Sequence, residues 1–345
     1  MSVRVGIIGV GMIGVDHARR LTNTLGGVDV TGVTDVDAAR AKALADTLPK
    51  ARVHATGEAV IAADDVDAVL VTSWGATHEQ YVLAAIAANK PVFCEKPLTP
   101  TSDGCLRVIE AETAASRQLV QVGYMRRYDS GYREMKAALD GGAVGPALMA
   151  HCAHRNPSVP PYGYTSDMAI TDTAVHEIDV MRWLFGEDIV ATQVIKPRRS
   201  SRAAETLQDP QFILFEMRSG ICVDVEVNVN CLYGYDIRCE IVGETGTLSL
   251  PDSASIALRA NGACSRRVPA DWRERFMSAY DTELREWVAS VAAGDITGPT
   301  AWDGYAAAAV ADACVQALHS GARVPVTMKE RPAFYDRGAY QLARG

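Results

Sequence analysis

At 345 residues the chain has room for about two domains. Hydrophobic residues make up 48% and charged residues 22%, which excludes a disordered, collagenous or disulfide-scaffold protein and leaves ample material for a core. The 34 Lys and Arg against 42 Asp and Glu give a net charge of -8, so neither nucleic acid nor a membrane surface is expected as a partner.

Apolar, β-branched runs fall first at 3–9, 28–34, 66–72, 91–94 and 119–124, with a weaker one at 53–56. Between them lie Ala- and Leu-rich stretches with helical spacing, such as 38–48 and 77–89. Near-continuous apolar strands separated by single helices predict a parallel sheet covered on both faces. Six strands in this order predict an α/β, doubly wound Rossmann domain over 1–124. The apolar run after Arg4 is broken by four glycines and precedes no small-x-small cleavage site, so it reads as a strand rather than a signal peptide.

Beyond about residue 125 the period changes. Val223, Val225, Val227 and Val229 alternate with Asp224, Glu226, Asn228 and Asn230, the pattern of a strand with one apolar and one polar face. Similar runs at 211–217 and 236–242 flank it, with turn signals at 218–220 and 243–246. Amphipathic helices are expected at 171–185, 272–292 and 302–319. The second domain, 125–345, is therefore read as α+β, an open antiparallel sheet with helices. The Ala-rich stretch 306–315 contains Asp312 and is too short to span a bilayer. Eight cysteines, none in C-x-x-C spacing, are too dilute for a disulfide framework and fit a reducing, cytoplasmic setting.

Gly9-Val10-Gly11-Met12-Ile13-Gly14 spells G-x-G-x-x-G directly after the first strand and at the start of a helix. Such glycines permit a tight turn and close approach of a pyrophosphate to the helix N-terminus. A second strand ending at Asp35 completes the dinucleotide pattern, its carboxylate suited to accept from ribose hydroxyls. A flavin, or a purely structural turn, is the alternative. No arginine adjoins Asp35 that would compensate a 2′-phosphate.

Glu95-Lys96-Pro97 follows the fifth strand, at the carboxyl edge where such sheets bind ligands. On the expected helix 171–185, Asp172, His176 and Asp179 stand at i, i+4 and i+7 on one face. Val175, Ile178, Met181 and Trp183 form a separate apolar face, so His176 is not obviously a core residue, although a core or surface histidine remains the alternative. His151-Cys152-Ala153-His154 is rich in ligand types, but in a strand its two histidines point to opposite faces. No metal is expected.

GVGMIG (9–14), EKP (95–97) and DTAVHEIDV (172–180) together resemble the Gfo/Idh/MocA oxidoreductases. The longer strings FCEKPL, QVGYMRRYDSGY, HCAHRNP, YGYDIRCEIVGE and GPTAWDGY are similar to the inositol-oxidising branch of that family. The resemblance runs from residue 3 to about 335 and departs at 159–164 and in the tail after Tyr335. It implies that NAD oxidises a ring carbinol of a cyclic polyol, myo-inositol, in a homotetrameric enzyme. Lys96, Asp172 and His176 match the catalytic positions. Met125, Arg126, His154, Asn156, Thr173 and Tyr235 join them at polyol-contacting positions. Gly9, Gly11, Met12, Ile13, Gly14, Asp35, Ser73, Trp74, His78, Glu95 and Lys96 match positions that contact NAD. The plainer alternative makes Arg126 part of a surface ion pair and Tyr235 a sheet aromatic. His17 and Arg127 lie in family-like strings without an assignable role.

The chemistry agrees with this assignment. Hydride leaves a carbinol carbon as its hydroxyl loses a proton, so a base must reach that oxygen. His176 has the appropriate ordinary pKa, and Asp172 can orient it and stabilise its charged form. Lys96 would set a positive charge beside the developing alkoxide. The alternatives are a related sugar or inositol-isomer dehydrogenase, and a catalytically silent NAD-binding regulator.

Overall fold

The computed structural model describes residues 2–160, 162–251 and 256–336. Pro161, within the atypical 159–164 segment, and the tail beyond Asp336 lie outside the described residues. The chain forms two compact units. One contains the chain up to Tyr124, Tyr280–Ala308 and the chain from Lys329 onward; the other contains Met125–Ala279 and Ala309–Met328.

The first unit is built on a parallel sheet of β1 (Val3–Ile8), β2 (Val28–Thr34), β3 (Arg52–Val53), β4 (Ala68–Val71), β5 (Val92–Glu95) and β6 (Val120–Gly123). Its order, β3-β2-β1-β4-β5-β6, reverses direction at β1/β4, the doubly wound pattern expected from the sequence. The weak run at 53–56 yields only the two-residue edge strand β3, with Arg52 and Val53 both exposed. The crossovers carry α1 (Met12–Arg19), α2 (Ala38–Ala45), α3 (Gly57–Ala62), α4 (His78–Ala87) and α5 (Ser102–Ala115). Local caps start several of them: Asp37 accepts from the Ala39 and Arg40 amides, Thr56 from Ala59 and Thr101 from Gly104.

In the second unit α6 (Ser130–Asp140) precedes β7 (Ala147–Arg155), and α7 (Ser166–Met168) precedes α8 (Val175–Phe185). The sheet continues with β8 (Ile189–Ile195), β9 (Gln211–Met217), β10 (Cys222–Asn228), β11 (Asp236–Gly243), β12 (Thr247–Ser249) and β15 (Val324–Pro325), in the order β12-β11-β7-β10-β9-β8-β15. A separate hairpin pairs β13 (Ala257–Ala260) with β14 (Ala263–Arg266). The valines of β10 are buried and its polar residues half-buried, as their alternation requires. The sheet is mixed rather than wholly antiparallel, because β10 pairs β7 in parallel. Alternation reports a half-buried strand but carries nothing about the direction of its neighbour.

The chain then returns. α9 (Trp272–Ala293) is kinked at Phe276, and its later turns set Leu284, Trp287 and Val288 into one core with Val5, Ile7 and Phe93 of the first sheet. Arg20 reinforces this, reaching Asp281 at 2.6 Å. α10 (Ala301–Ser320) begins with a capping box, in which Thr300 N donates to Asp303 Oδ2 at 2.8 Å and Asp303 N to Thr300 Oγ1 at 3.3 Å. Residues 280–308 thus complete the first unit instead of belonging, with all of 125–345, to the second. The apolar stripe of α9 was legible from its period; which sheet it would cover was not.

Replacing Trp287 by Ala should therefore lower stability by about 3–5 kcal/mol. A denaturant titration following a first-unit probe, such as cofactor release, should show the loss.

Candidate active site

The loop 9–14 joins β1 to α1, and two of its glycines matter for different reasons, Gly9 for the turn and Gly11 for open space. Gly9 has φ +93, and a Cβ there would stand 2.4 Å from the Ser73 Cα. At Gly11 a Cβ would meet nothing within 4 Å. The backbone there is open to a large group, which is the space a pyrophosphate needs at a helix N-terminus. Beside it Met12 and Trp74 are 66% and 80% exposed, apolar surface that a bound dinucleotide would cover. The residues present therefore fit the cofactor that the motif implies.

Asp35 ends β2 by accepting the Val10 amide at 2.8 Å and the Asp37 amide at 2.9 Å. It fixes the glycine loop while leaving lone pairs for a ribose. One expectation is corrected here: Arg40, one turn into α2, does approach Asp35, with Nη1 3.8 Å from Oδ1. Sequence adjacency missed it because a helix brings distant positions back to its own N-terminus. Ser73 Oγ bonds Thr77 Oγ1 at 2.7 Å. His78 is buried, Nδ1 2.7 Å from the Pro97 carbonyl and Nε2 2.9 Å from the Ser73 carbonyl. It braces the loop after β4 against the loop that carries Lys96. Burial lowers the His78 pKa, outweighing the two carbonyls that raise it.

His17, which had no assignable role, is wholly buried on α1 with Nε2 2.7 Å from Glu95 Oε1. The other carboxylate oxygen accepts the Lys96 amide at 3.2 Å. His17 and Glu95 thus tie the dinucleotide helix to the backbone of Lys96.

In the second unit the helix expected over 171–185 is two structures. A π-turn at Ala169–Ala174 carries Asp172 and Thr173, and α8 begins only at Val175. Widened i→i+5 turns of this kind recur at functional sites. α8 has no solvated face: His176, Glu177, Asp179 and Arg182 are buried with Val175, Ile178, Val180, Met181 and Leu184. Asp179, placed by its spacing beside Asp172 and His176, instead accepts Arg127 Nε at 2.9 Å.

Glu177 was missed by the sequence reading and is 1% exposed. Oε1 accepts Arg126 Nη1, and Oε2 lies 2.9 Å from His154 Nδ1. Arg126 Nη2 stands 3.0 Å from the same ring nitrogen, and the Tyr235 hydroxyl 3.5 Å from His154 Nε2. Because the Glu177 carboxylate only accepts, we assign the ring proton to Nδ1, donating to Glu177. Arg126 Nη2, itself a donor, then lies beside Nδ1 without a hydrogen bond to it, and Nε2 is left on the side of Tyr235. The His154 and His176 ring centroids are 6.2 Å apart. The structure thus brings Arg126 and His154 onto one carboxylate, with Tyr235 and His176 beside His154. Burial alone would raise the Glu177 pKa, but Arg126 and His154 together outweigh it and hold it low. Burial pushes the Tyr235 phenol up to about 12. A signal was available: apolar residues cover α8 all round, so its charges needed buried partners, and Arg126 and Arg127 stood ready.

Met125 is buried at the first turn after the first unit, and Asn156 follows β7, its main chain bonded to Asn228 and Cys231. Thr173 Oγ1 lies 2.6 Å from the hydroxyl of Tyr164, a residue the sequence reading did not single out. His151 is on the opposite face of β7 from His154, with Nδ1 2.5 Å from Asp224 Oδ2. Among the described residues no group of three His, Cys, Asp or Glu could hold a metal ion, and no helix is long and apolar enough to cross a membrane.

Comparison with known proteins now decides the family. Residues 3–124 match the profile of the oxidoreductase family's NAD-binding Rossmann fold, and 136–328 that of its C-terminal alpha/beta domain, both of Gfo/Idh/MocA. The chain belongs to the Gfo/Idh/MocA oxidoreductase family. It is 58% identical to inositol 2-dehydrogenase 3 of Saccharopolyspora erythraea over 97% of this chain and 98% of that one. With inositol 2-dehydrogenase of Pseudomonas savastanoi it shares 54% over 97% and 100% of the two chains. A crystal structure of myo-inositol dehydrogenase from Lactobacillus casei, in complex with NAD(H) and myo-inositol, superposes with a TM-score of 0.94 at 40% identity, covering 97% of this chain and 100% of that one.

Two outcomes follow from this geometry. NAD should be preferred to NADP by about tenfold or more in kcat/KM, since a 2′-phosphate would meet the Asp35 carboxylate. Arg40→Ala should widen the preference, and equal kcat/KM for both cofactors in the unmodified protein would count against this role of Asp35. Glu177→Gln should destabilise the protein by about 3–5 kcal/mol near neutrality by leaving Arg126 buried and unpaired. The folded-state pKa of Glu177 lies below its ordinary value of 4.5, so its contribution is present above that pH and lost as the pH falls. The Tm difference between the two proteins should narrow from about pH 5 to pH 3.

Proposed function

We propose that the chain is an NAD-dependent inositol 2-dehydrogenase, oxidising myo-inositol to 2-keto-myo-inositol (scyllo-inosose) in inositol catabolism. The observation that carries this reading is its likeness, over nearly its whole length, to enzymes of that name. NAD would be held by the loop 9–14, Asp35, Ser73, Trp74, His78 and Glu95, and supplies the hydride acceptor.

The protein's own groups handle the proton and the polarity. His176 accepts the proton of the reacting hydroxyl, a step that contributes about 10²–10⁴ in rate. Asp172 orients the imidazole and stabilises it once charged. Lys96 sets its ammonium where negative charge grows on the carbinol oxygen. Met125, Arg126, His154, Asn156, Thr173 and Tyr235 line the polyol. The buried ion pair of Arg126 with Glu177 supports a positioning role for that arginine besides any contact with substrate. The enzyme is placed in the cytoplasm as a homotetramer; the half-buried polar residues of β10 offer a face for pairing sheets between subunits.

The test is initial-rate NADH formation with saturating NAD. kcat/KM for myo-inositol should exceed that for glucose and scyllo-inositol, and cyclohexanol should fall short by about 10⁴, because it leaves the polar pocket unpaired. His176→Ala should lower kcat by about 10²–10⁴ while NAD still binds. A preference for glucose or scyllo-inositol would keep the enzyme class and replace the substrate.

A further inference from the structure

We propose that Tyr164 fixes the hydrogen-bond polarity of the Thr173 hydroxyl and so acts as a positioning residue for polyol selectivity. The inference rests on the reading in which Thr173 contacts the polyol. Tyr164 comes from the 159–164 segment, and its environment is unlike that of Tyr162. Tyr162 is 90% exposed, whereas Tyr164 is 6% exposed.

The Tyr164 hydroxyl lies 3.2 Å from the Met168 carbonyl oxygen and 2.6 Å from Thr173 Oγ1. A carbonyl can only accept, and a phenol carries one proton. The arrangement that satisfies all three groups has Tyr164 donating to Met168 and Thr173 donating to Tyr164. The phenol keeps its proton, because burial and then the negative charge of Asp172 push its pKa up. With its single proton committed, Thr173 has only lone pairs left to offer. This stretch of the site therefore demands hydroxyl donors and repels groups that only accept, such as an ether oxygen, a ketone or a C–F bond. Without Tyr164 the threonine could turn its proton outward and donate.

The probe is a set of monodeoxyfluoro-myo-inositols, each replacing one hydroxyl by an acceptor of similar size. At the position that meets Thr173, the unmodified enzyme should prefer myo-inositol to the fluoro analogue. Tyr164→Phe should shrink that ratio of kcat/KM by about three- to tenfold, the worth of one neutral hydrogen bond, and leave the ratios at other positions unchanged. Thr173→Val should abolish the preference and Thr173→Ser retain it. Tyr164→Phe made on Thr173→Val should add nothing further. A merely structural tyrosine would lower all substrates alike. Unchanged ratios in a folded Tyr164→Phe protein, or additive effects in the double variant, would overturn the proposal. The threonine pair tests it without Tyr164→Phe: equal preference in Thr173→Val and Thr173→Ser would overturn it as well. If the unmodified protein instead turns over a different polyol, the assigned substrate fails, and the same cycle on fluoro analogues of that polyol decides the role of Tyr164.

Discussion

A buried charge has to be answered where it stands, and the second unit is arranged around one such answer. Glu177 and Arg126 are each 1% exposed. Removing either alone would leave an ion in a medium that cannot solvate it, a cost of about 3–5 kcal/mol. The pair is therefore more than one contact among many. Arg126 comes from the first turn of the unit, Glu177 from α8 and His154 from β7, so satisfying the carboxylate fixes three elements at once. His176 is the residue before Glu177, and its backbone position follows from the same constraint. Replacing the network by apolar side chains could match its stability. It could not reproduce a histidine with an assigned tautomer.

The first unit uses carboxylates in the same way, with backbone amides in place of an arginine. Asp35 accepts from Val10 and Asp37, and Glu95 accepts from Lys96 while its other oxygen meets His17. Glu112 is fully buried and accepts the Leu119 and Val120 amides at 2.6 and 2.7 Å and the Tyr335 hydroxyl at 2.7 Å. Asp35 and Glu95 sit where a strand meets a loop, and Glu112 reaches from α5 to the amides at the start of β6, places at which a sheet runs out of ladder partners. Burial raises the Glu112 pKa more than its donors lower it. Asp35 and Glu95 hold the glycine loop and the Lys96 backbone, and geometry there has to survive cofactor exchange.

What could be read from sequence follows from which forces are local. Strand period, glycine spacing and helix caps are local, so β1, β2, β4, β5 and β6 fell where the apolar runs lie. The return of Leu284, Trp287 and Val288 to the first sheet depends on a partner more than 150 residues away, by about the length of a domain, and no period encodes it. The parallel pairing of β7 with β10 is equally non-local. At the site, Asp172 and His176 stood out because their residue types suggest chemistry, whereas Glu177 was obscured by its position between them and the apolar residues. The π-turn at Ala169–Ala174 has no signature in composition and shifts Asp172 off the regular helical face on which spacing placed it. His17 shows the same limit: a histidine inside a dinucleotide helix is uninformative until Glu95 is seen beside it.

These arrangements bear on how a site for hydroxyl-rich molecules can discriminate. A polyol hydroxyl can donate or accept, so a pocket of freely rotating hydroxyls would adapt to any isomer and select none. Selectivity requires that the protein's own donors and acceptors be committed before substrate arrives, because only then does a mismatched hydroxyl leave a buried group unpaired. Glu177 commits His154 from one side, and Met168, through Tyr164, commits Thr173 from another. In both cases the commitment ends at a group that cannot reverse its role, a carboxylate or a main-chain carbonyl. A side-chain hydroxyl as the last member would leave the chain free to flip. On the proposed reading, termination on a fixed acceptor would turn a polar pocket into one that distinguishes isomers, and would make Glu177 and Tyr164 part of its specificity without contact to the substrate.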